Sequence, residues 1–527
     1  MKPDYDAIII GGGHNGLTAA AYLARANKRV LVLERRHTVG GASATEEFVP
    51  GFRNSSCAFV VGYLRDKFVK ELELARHGLV VRPIENELFL LDDGGCMLLS
   101  NDEDHNRRET ARFSPADVEG LERMRESLAP LRGFFGKRML HPAPATGGGW
   151  RNAVEWLRMG TDLMRLSREE RYRLAQVMTQ SANTFLGRFL ESDQAKLPYA
   201  FGAISGNMND LDTPTTAYRL LHGQLCEVNG VPGAWGLPMG GMGAISDAIC
   251  ASAASHGAEV RTGTSVRRVL IDGGRATGVE LEDGKRIHAR SVLSNADPRR
   301  TFLDLVDAEA LQADFRADIE RYRMESGTFR MNFALRELPD LTSMPGTQRG
   351  PQHEGMIYVL PSTAYIRDAF DDTRRGEWSR SPIIEAIIPS VHDDSLAPPG
   401  HHVMSISARY FPRHLSGGRS WDDCRDEAAE TIVDTFARYA PNFRSAIIAR
   451  QALSPLDLER EYGLTGGDVA HGQYELNQLF TMRPHPKAAG GKTPIAGLYL
   501  CGSGIHPGGG VSGIPGYHAA RLVLRSG

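Results

Sequence analysis

The chain has 527 residues, with 61 Lys+Arg against 64 Asp+Glu and a formal net charge of −3. Near-neutrality at this length argues against a nucleic-acid binder, which carries a basic stripe or tail. Hydrophobic residues at 41% and charged residues at 24% exclude disorder, collagen and coiled coil as descriptions of the whole chain, and the length predicts several domains or one large composite. The six cysteines, Cys57, Cys96, Cys226, Cys250, Cys424 and Cys501, form no CxxC pair, so buried reduced thiols are expected rather than a zinc knuckle or a thioredoxin-type redox pair. No apolar run approaches the ~20 residues of a membrane span. The first strand begins too close to Met1 for a signal peptide, so a cytoplasmic chain is expected, with peripheral membrane contact left open. The 17 histidines show no HExxH spacing; His401, His402 and His471 are expected to be solvated loop residues, and no metal is expected.

Tyr5–Ile10 (YDAIII) is a largely apolar run ending in β-branched residues, which predicts a strand covered on both faces. It runs into Gly11-Gly12-Gly13-His14-Asn15-Gly16, a G-x-G-x-x-G turn. The Ala- and Leu-rich residues 17–26 predict a helix, and residues 28–34 (KRVLVLE) a second strand ending in an acid. This is the context that the dinucleotide-binding fingerprint requires. Gly11 permits the tight turn, Gly13 lets backbone approach a pyrophosphate, and Gly16 lets the helix pack closely on the sheet. The helix N-terminus offers free N–H groups and a positive dipole end to the phosphates. Glu34, 21 residues after Gly13, is placed to accept both ribose hydroxyls, and its charge disfavours a 2′-phosphate.

Beyond the acid, Val39-Gly40-Gly41-Ala42-Ser43 resembles the FAD-specific extension of the glutathione-reductase-like flavoproteins. That resemblance implies Arg35 flanking the adenine and Gly40-Gly41 beside the pyrophosphate and ribityl chain, with Ala42 where many relatives carry Arg. No second G-x-G-x-x-G follows a strand, so a separate NAD(P)H domain is not expected. Residues 59–74 carry Tyr63, Leu64, Phe68 and Leu72 at helical spacing, with Arg65, Lys67 and Lys70 beside them. A basic amphipathic helix of this kind can lie on an anionic bilayer; Asp66, Glu71 and Glu73 offset its charge and favour packing against the domain.

Ser114-Pro115-Ala116-Asp117 predicts a helix start, with Val118, Leu121, Met124, Leu128 and Leu131 following at helical spacing. Residues 142–149 (PAPATGGG) predict a loop, and residues 167–190 a second long helical stretch. Residues 231–249 predict a Pro-Met-Gly-Gly turn entering a helix, and residues 258–293 a β-meander joined by Asp-Gly turns. Thr328–Leu335 alternates as a strand, and turn-rich loops follow at 341–355 and 391–402.

Residues 497–504 read as a strand entering a Gly-rich turn, followed by His506-Pro507-Gly508-Gly509-Gly510-Val511-Ser512-Gly513 and a final helix from Tyr517. So much Gly is costly unless backbone must approach something closely. With GAWG-x-x-x-GGMGA, VLSNADP and the N-terminal motifs, this pattern resembles the phytoene-desaturase-like flavoproteins, and within them the pyridine nucleotide-disulfide oxidoreductase domain-containing protein 2 group and the desaturase-type carotene ketolases.

The resemblance implies an α/β fold of the glutathione-reductase/amine-oxidase type. A discontinuous Rossmann FAD domain at 1–80, 230–300 and 490–527 is interleaved with an α+β substrate domain at 81–229 and 301–489. It implies FAD contacts at Gly11, Gly13, His14, Asn15, Gly16, Glu34, Arg35, Gly40, Gly41, Ala42 and Ser43. Further contacts are implied at Gly240, Gly241, Val266, Gly502, Ser503, Val511, Ser512 and Gly513. The expected activity is two-electron oxidation of an apolar isoprenoid or polyene substrate, with dioxygen or a quinone as the open choice of acceptor. An amine oxidase and a flavin-stabilised protein acting through a partner are the alternatives. No catalytic residue is assigned; His506 and Arg330 are candidates, against a structural loop histidine and a surface salt bridge respectively.

Overall fold

The computed structural model describes residues 3–146 and 149–526. Strand β1 (Tyr5–Ile10) lies at the centre of a parallel sheet, between β2 (Val30–Leu33) and the strand Arg286–Ser294. The register sets Ala7 beside Val30 and Ser291, and Ile10 beside Leu33 and Ser294. Glu259–Arg261 extends the sheet beyond β2, and Leu498–Leu500 pairs with Arg286–Ser294 on the far side. Ala7, Ile8 and Ile9 are fully buried because both faces are covered, each large side chain contributing about 1.5–3 kcal/mol of burial. One face carries helix α1 (His14–Arg25) with Gly243–Ser255 and Ile514–Ser526 against it. Arg286–Ser294 outlasts its parallel partners and continues into an antiparallel meander with Arg275–Leu281 and Val266–Asp272.

A second, mixed seven-stranded sheet runs Ile447–Leu453, Thr328–Leu335, His402–Arg409, Ile384–Ile387, Met356–Val359, Asn86–Leu90, Cys96–Ser100. All its pairings are antiparallel except that of Met356–Val359 with Asn86–Leu90. Thr328–Leu335 is buried at every position. Its alternation still has meaning. Phe329, Met331, Phe333 and Leu335 belong to the core shared with Ile432, Val433 and Phe436 of helix Trp421–Ala437. Arg330 and Asn332 turn the other way, toward the first domain, where they donate to the carbonyls of Ser56 and Ser55.

The helical layer departs from its sequence pattern in one place. Residues 167–190 form two helices, Arg168–Thr179 and Ala182–Leu186, rather than one. The Ser181 hydroxyl accepts from the Thr184 amide and restarts the chain as a new cap, which a Ser does readily. The helix predicted at Ser114 runs over Pro115–Met139, with Ser114 accepting from the Asp117 amide. Within the predicted loop at 142–149, residues 147–148 lie outside the described residues, and a helix spans Gly149–Arg165. The basic amphipathic stretch at 59–74 is helical only over Asp66–Glu71 and turns inward: Phe68 and Leu72 are 1% exposed, and Lys67 and Lys70 pair with Glu71 and Asp66. The exposed large apolar side chains of the described residues include Trp156, Leu157 and Met164 on Gly149–Arg165 instead. Among the described residues no helix is long and apolar enough to cross a membrane.

Candidate active site

A cavity of about 650 Å³ runs from the N-terminal glycine turn to the inner face of the second sheet. At its first end Gly11 adopts φ +95°, and a side chain on Gly13 would come within 2.7 Å of Asn295 Nδ2. Helix α1 starts after Gly13 without a side-chain cap, which leaves its first amides and its dipole facing the cavity. Glu34 closes β2 on the same wall. Its Oε2 accepts from the Gly12 amide at 2.7 Å and its Oε1 from the Arg36 amide at 2.8 Å, so the carboxylate is held rigidly at the glycine turn. Arg35 donates to the carbonyls of Arg460 and Glu461, tying the turn to the substrate domain. Asn15 Nδ2 donates to Ser503 Oγ at 3.1 Å and so joins the two Gly-rich turns, while its buried Oδ1 has no protein partner among the described residues. An uncapped helix end, a glycine cradle and a fixed carboxylate fit the pyrophosphate and ribose of a dinucleotide.

Of the residues expected to touch the cofactor, Gly11, Gly13, His14, Asn15, Glu34 and Arg35 line this cavity. So do Gly40, Gly41, Ala42, Val266, Ser503 and Val511. The others stand behind the wall, each in a packing role. A Cβ on Gly16 would lie 2.3 Å from the Gly11 carbonyl oxygen, and one on Gly502 2.6 Å from that of Asn295. Ser43 is fully buried against Ser246, with the hydroxyl oxygens 2.7 Å apart. Gly240 and Gly241 make a left-handed turn on the strand Thr45–Val49, where a Cβ on Gly241 would meet Thr45 Oγ1 at 2.4 Å. Ser512 Oγ accepts from the Ile514 amide at the start of the last helix, and Gly513, at φ +72°, faces Thr18 of α1.

His506 lies outside this cavity and lines a second, smaller one, its Nε2 3.2 Å from the Arg138 carbonyl, and burial pushes it down to about 4. Arg330 is neither on the cavity wall nor in a surface salt bridge. It is 1% exposed, donates to Ser405 Oγ at 2.5 Å, and stacks on Phe59 with Cζ 4.3 Å from the ring centroid. His471 is not a solvated loop residue: it lines the cavity, and desolvation holds it below the usual histidine range.

The opposite end of the cavity was not legible in the sequence. Phe59, Tyr63, Trp235 and Tyr474 form an aromatic wall there, with Arg219, Arg409 and Ser205 among them. Phe59 and Tyr63 come from a loop of the first domain, Arg219 from the helix Thr216–Gly223, Arg409 from the strand His402–Arg409, and Ser205, Trp235 and Tyr474 from three separate connections. No local motif marks them, because only the tertiary fold brings them together. The Arg409 guanidinium pairs with Glu385 at 2.9 Å and donates to Thr328 Oγ1 at 3.1 Å. Arg219 Nε donates to the Ser205 carbonyl at 2.8 Å.

The family model described as flavin containing amine oxidoreductase matches residues 16–328, and the chain belongs to that family. It is 38% identical to pyridine nucleotide-disulfide oxidoreductase domain-containing protein 2 of Mus musculus, covering 100% of this chain and 94% of the relative. A phytoene desaturase (lycopene-forming) of Pseudescherichia vulneris is 25% identical, over 96% of each chain. Among solved structures, a wild-type putrescine oxidase bound to putrescine superposes with a TM-score of 0.61 at 14% identity, covering 99% of this chain and 98% of that one. The protein is therefore an FAD-dependent oxidoreductase, with a Rossmann-type FAD domain and a second domain over it.

Proposed function

We propose that this oxidoreductase is a dehydrogenase or desaturase acting on an elongated apolar substrate of isoprenoid or polyene type, with dioxygen or a quinone taking the electrons. FAD, when bound, supplies the two-electron acceptor for hydrogen removed from a substrate C–H bond. The residues described here would hold its pyrophosphate at the Gly11–Gly16 turn and its ribose at Glu34. The observation that carries the reading is the aromatic lining of the far end of the cavity, backed by a layer of packed rings. Tyr63 and Tyr474 contact the ring of His222, with centroids 5.4 and 4.9 Å apart; His222 meets Tyr218 at 5.9 Å, and Tyr218 meets Phe135 at 5.3 Å. Phe135 borders a second cavity of about 150 Å³, lined with Met159, Leu163, Leu174 and Met178 and, as its polar members, Arg138 and His506. Burial and the Arg219 guanidinium push His222 well below the usual histidine range, so this bridge is uncharged. The aromatic lining suits an apolar substrate body, which the walls would position and keep dry. The relative named phytoene desaturase supports the same substrate class.

An amine substrate is disfavoured by the charge of the site. The aromatic faces at Phe59 and Tyr474 already carry the guanidiniums of Arg330 and Arg219, at 4.3 and 4.9 Å, where an ammonium group would be repelled. The test is anaerobic titration of the purified holoprotein with acyclic isoprenoids and with diamines. Bleaching of the oxidised-flavin absorbance by an isoprenoid but not by putrescine is the expected result; bleaching by the diamine alone would overturn it.

A further inference from the structure

The substrate end of the cavity carries more positive charge than its apolar lining requires. Arg219 and Arg409 both line it, and they are 8% and 5% exposed. Arg409 has a carboxylate partner, Glu385, at 2.9 Å. Arg219 has none within ion-pair distance among the described residues, and its Nη1 finds no acceptor there. Its neutral support is the Ser205 carbonyl at 2.8 Å and the Tyr474 ring. Arg330, just behind Phe59, is also without a carboxylate and is pushed down to about 10 by burial. Glu385 faces this cluster of guanidiniums with Glu87 close enough to couple to it, and burial raises the pKa of both carboxyls.

Burying a guanidinium without an anion is expensive. A purely structural role is satisfied elsewhere in this protein by carbonyl caging. Arg483, 0% exposed, spreads its N–H groups over the carbonyls of Ala470, Gly472, Gln473, Gln478 and Ser503. Arg219 lacks such a cage and sits instead on the cavity wall, with the Tyr63 hydroxyl beside it. Guanidinium donors at a cavity wall pair best with planar oxyanions, carboxylates above all.

We infer that Arg219, supported by Ser205 and Arg409, forms a carboxylate-binding subsite, so that the substrate is an apolar chain ending in a carboxylate rather than a bare hydrocarbon. This rests on the reading that the aromatic end of the cavity receives the substrate. Arg219 would fix the head group and so decide which C–H bond faces the cofactor, while the aromatic wall holds the body. The arrangement also explains why a cationic head is excluded.

Holoprotein titrated with geranate, geraniol and geranylamine, followed by flavin absorbance shifts and calorimetry, tests the subsite. These probes share one skeleton and differ only in head-group charge. Geranate should bind about tenfold or more tightly than geraniol, as a charged hydrogen-bonded pair implies, and geranylamine weakest. Arg219→Gln should remove the preference and Arg219→Lys should keep most of it, with flavin content and circular dichroism unchanged in both. Equal affinity for geranate and geraniol would overturn the inference, and so would a preference that survives Arg219→Gln. A lowered flavin reduction potential in Arg219→Gln with ligand preference intact would also overturn it, by assigning the charge to the cofactor. Benzoate binding that depends on Arg219, with none of the three isoprenoids bound, would uphold the subsite while refuting the isoprenoid reading.

Discussion

At the scale of single residues, the cofactor end depends on one carboxylate. Glu34 is 6% exposed and spends both oxygens on backbone amides, those of Gly12 and Arg36. The carboxylate therefore does two things: it shapes the turn that faces the pyrophosphate, and it presents the remaining lone pairs to the ribose. Glu34→Gln keeps the size but turns an N–H₂ group toward one of those amides. The loss of a charge-assisted hydrogen bond costs about 1.5–3 kcal/mol. Weaker FAD retention in a folded protein is the expected outcome, read as flavin released on extensive dialysis; undiminished flavin content would refute the assignment. Arg330 shows how far residue-level reading reaches. Its strand follows from the alternation of Thr328–Leu335, but its stacking on Phe59, 271 residues away in sequence, is brought about by the topology alone, and no spacing rule reports that.

At the scale of elements, the last glycine turn acts through helix packing. Gly513 has φ +72°, and a Cβ there would lie 3.0 Å from Thr18 Oγ1 and 3.6 Å from Phe68. Thr18 is on α1, whose N-terminus faces the cavity, and its hydroxyl donates to the His14 carbonyl. Gly513→Val adds a left-handed strain of about 1–2 kcal/mol and more for its branching, and it pushes on α1. Lower thermal stability with loosened FAD is expected. A variant that melts like the wild type and holds flavin equally well would show that the turn tolerates a side chain. What was legible at this scale had local causes. The strand–turn–helix–strand opening, the Ser114 cap and most of the meander expected at 258–293 each carry their own signal of periodicity, capping or turn chemistry, but Glu259–Arg261 joins the parallel sheet beside β2 and only Val266–Ser294 forms the meander. The inward turn of Phe68 and Leu72 was ambiguous because an apolar stripe reads the same whether lipid or protein covers it. The aromatic and arginine wall of the substrate end was silent, since its members lie on separate elements and each alone resembles an ordinary core or surface residue.

At the scale of the whole molecule, burial of ionisable groups sets the response to acid. Desolvation pushes His14 and His506 down to about 4 and His518 to about 3, and holds His222 well below its ordinary value. Between about pH 4 and 6.5 the unfolded chain protonates these four rings and the native protein does not, so stability is lost as the pH falls. Glu87 and Asp468 oppose this, because burial raises both to about 7 and the native state then holds their protons where the unfolded chain does not. Their contribution grows as the pH falls toward about 4, in the same window, and Glu87 keeps some surface exposure, which weakens its share. His141, His353, His402 and His471 are held below their ordinary value as well and add to the loss, while Glu385 adds to the opposing carboxyls. Denaturant midpoints should fall as the pH is lowered from 7 to 5. His518 is 2% exposed and does not line the cavity, with His506 as a neighbour whose charge it feels. His518→Leu should make the loss of stability toward acid shallower without changing the spectrum of bound flavin. An acid profile as steep as the wild type's in that variant would mean that the ring is already protonated in the native protein, and that solvent reaches the space beneath the last helix.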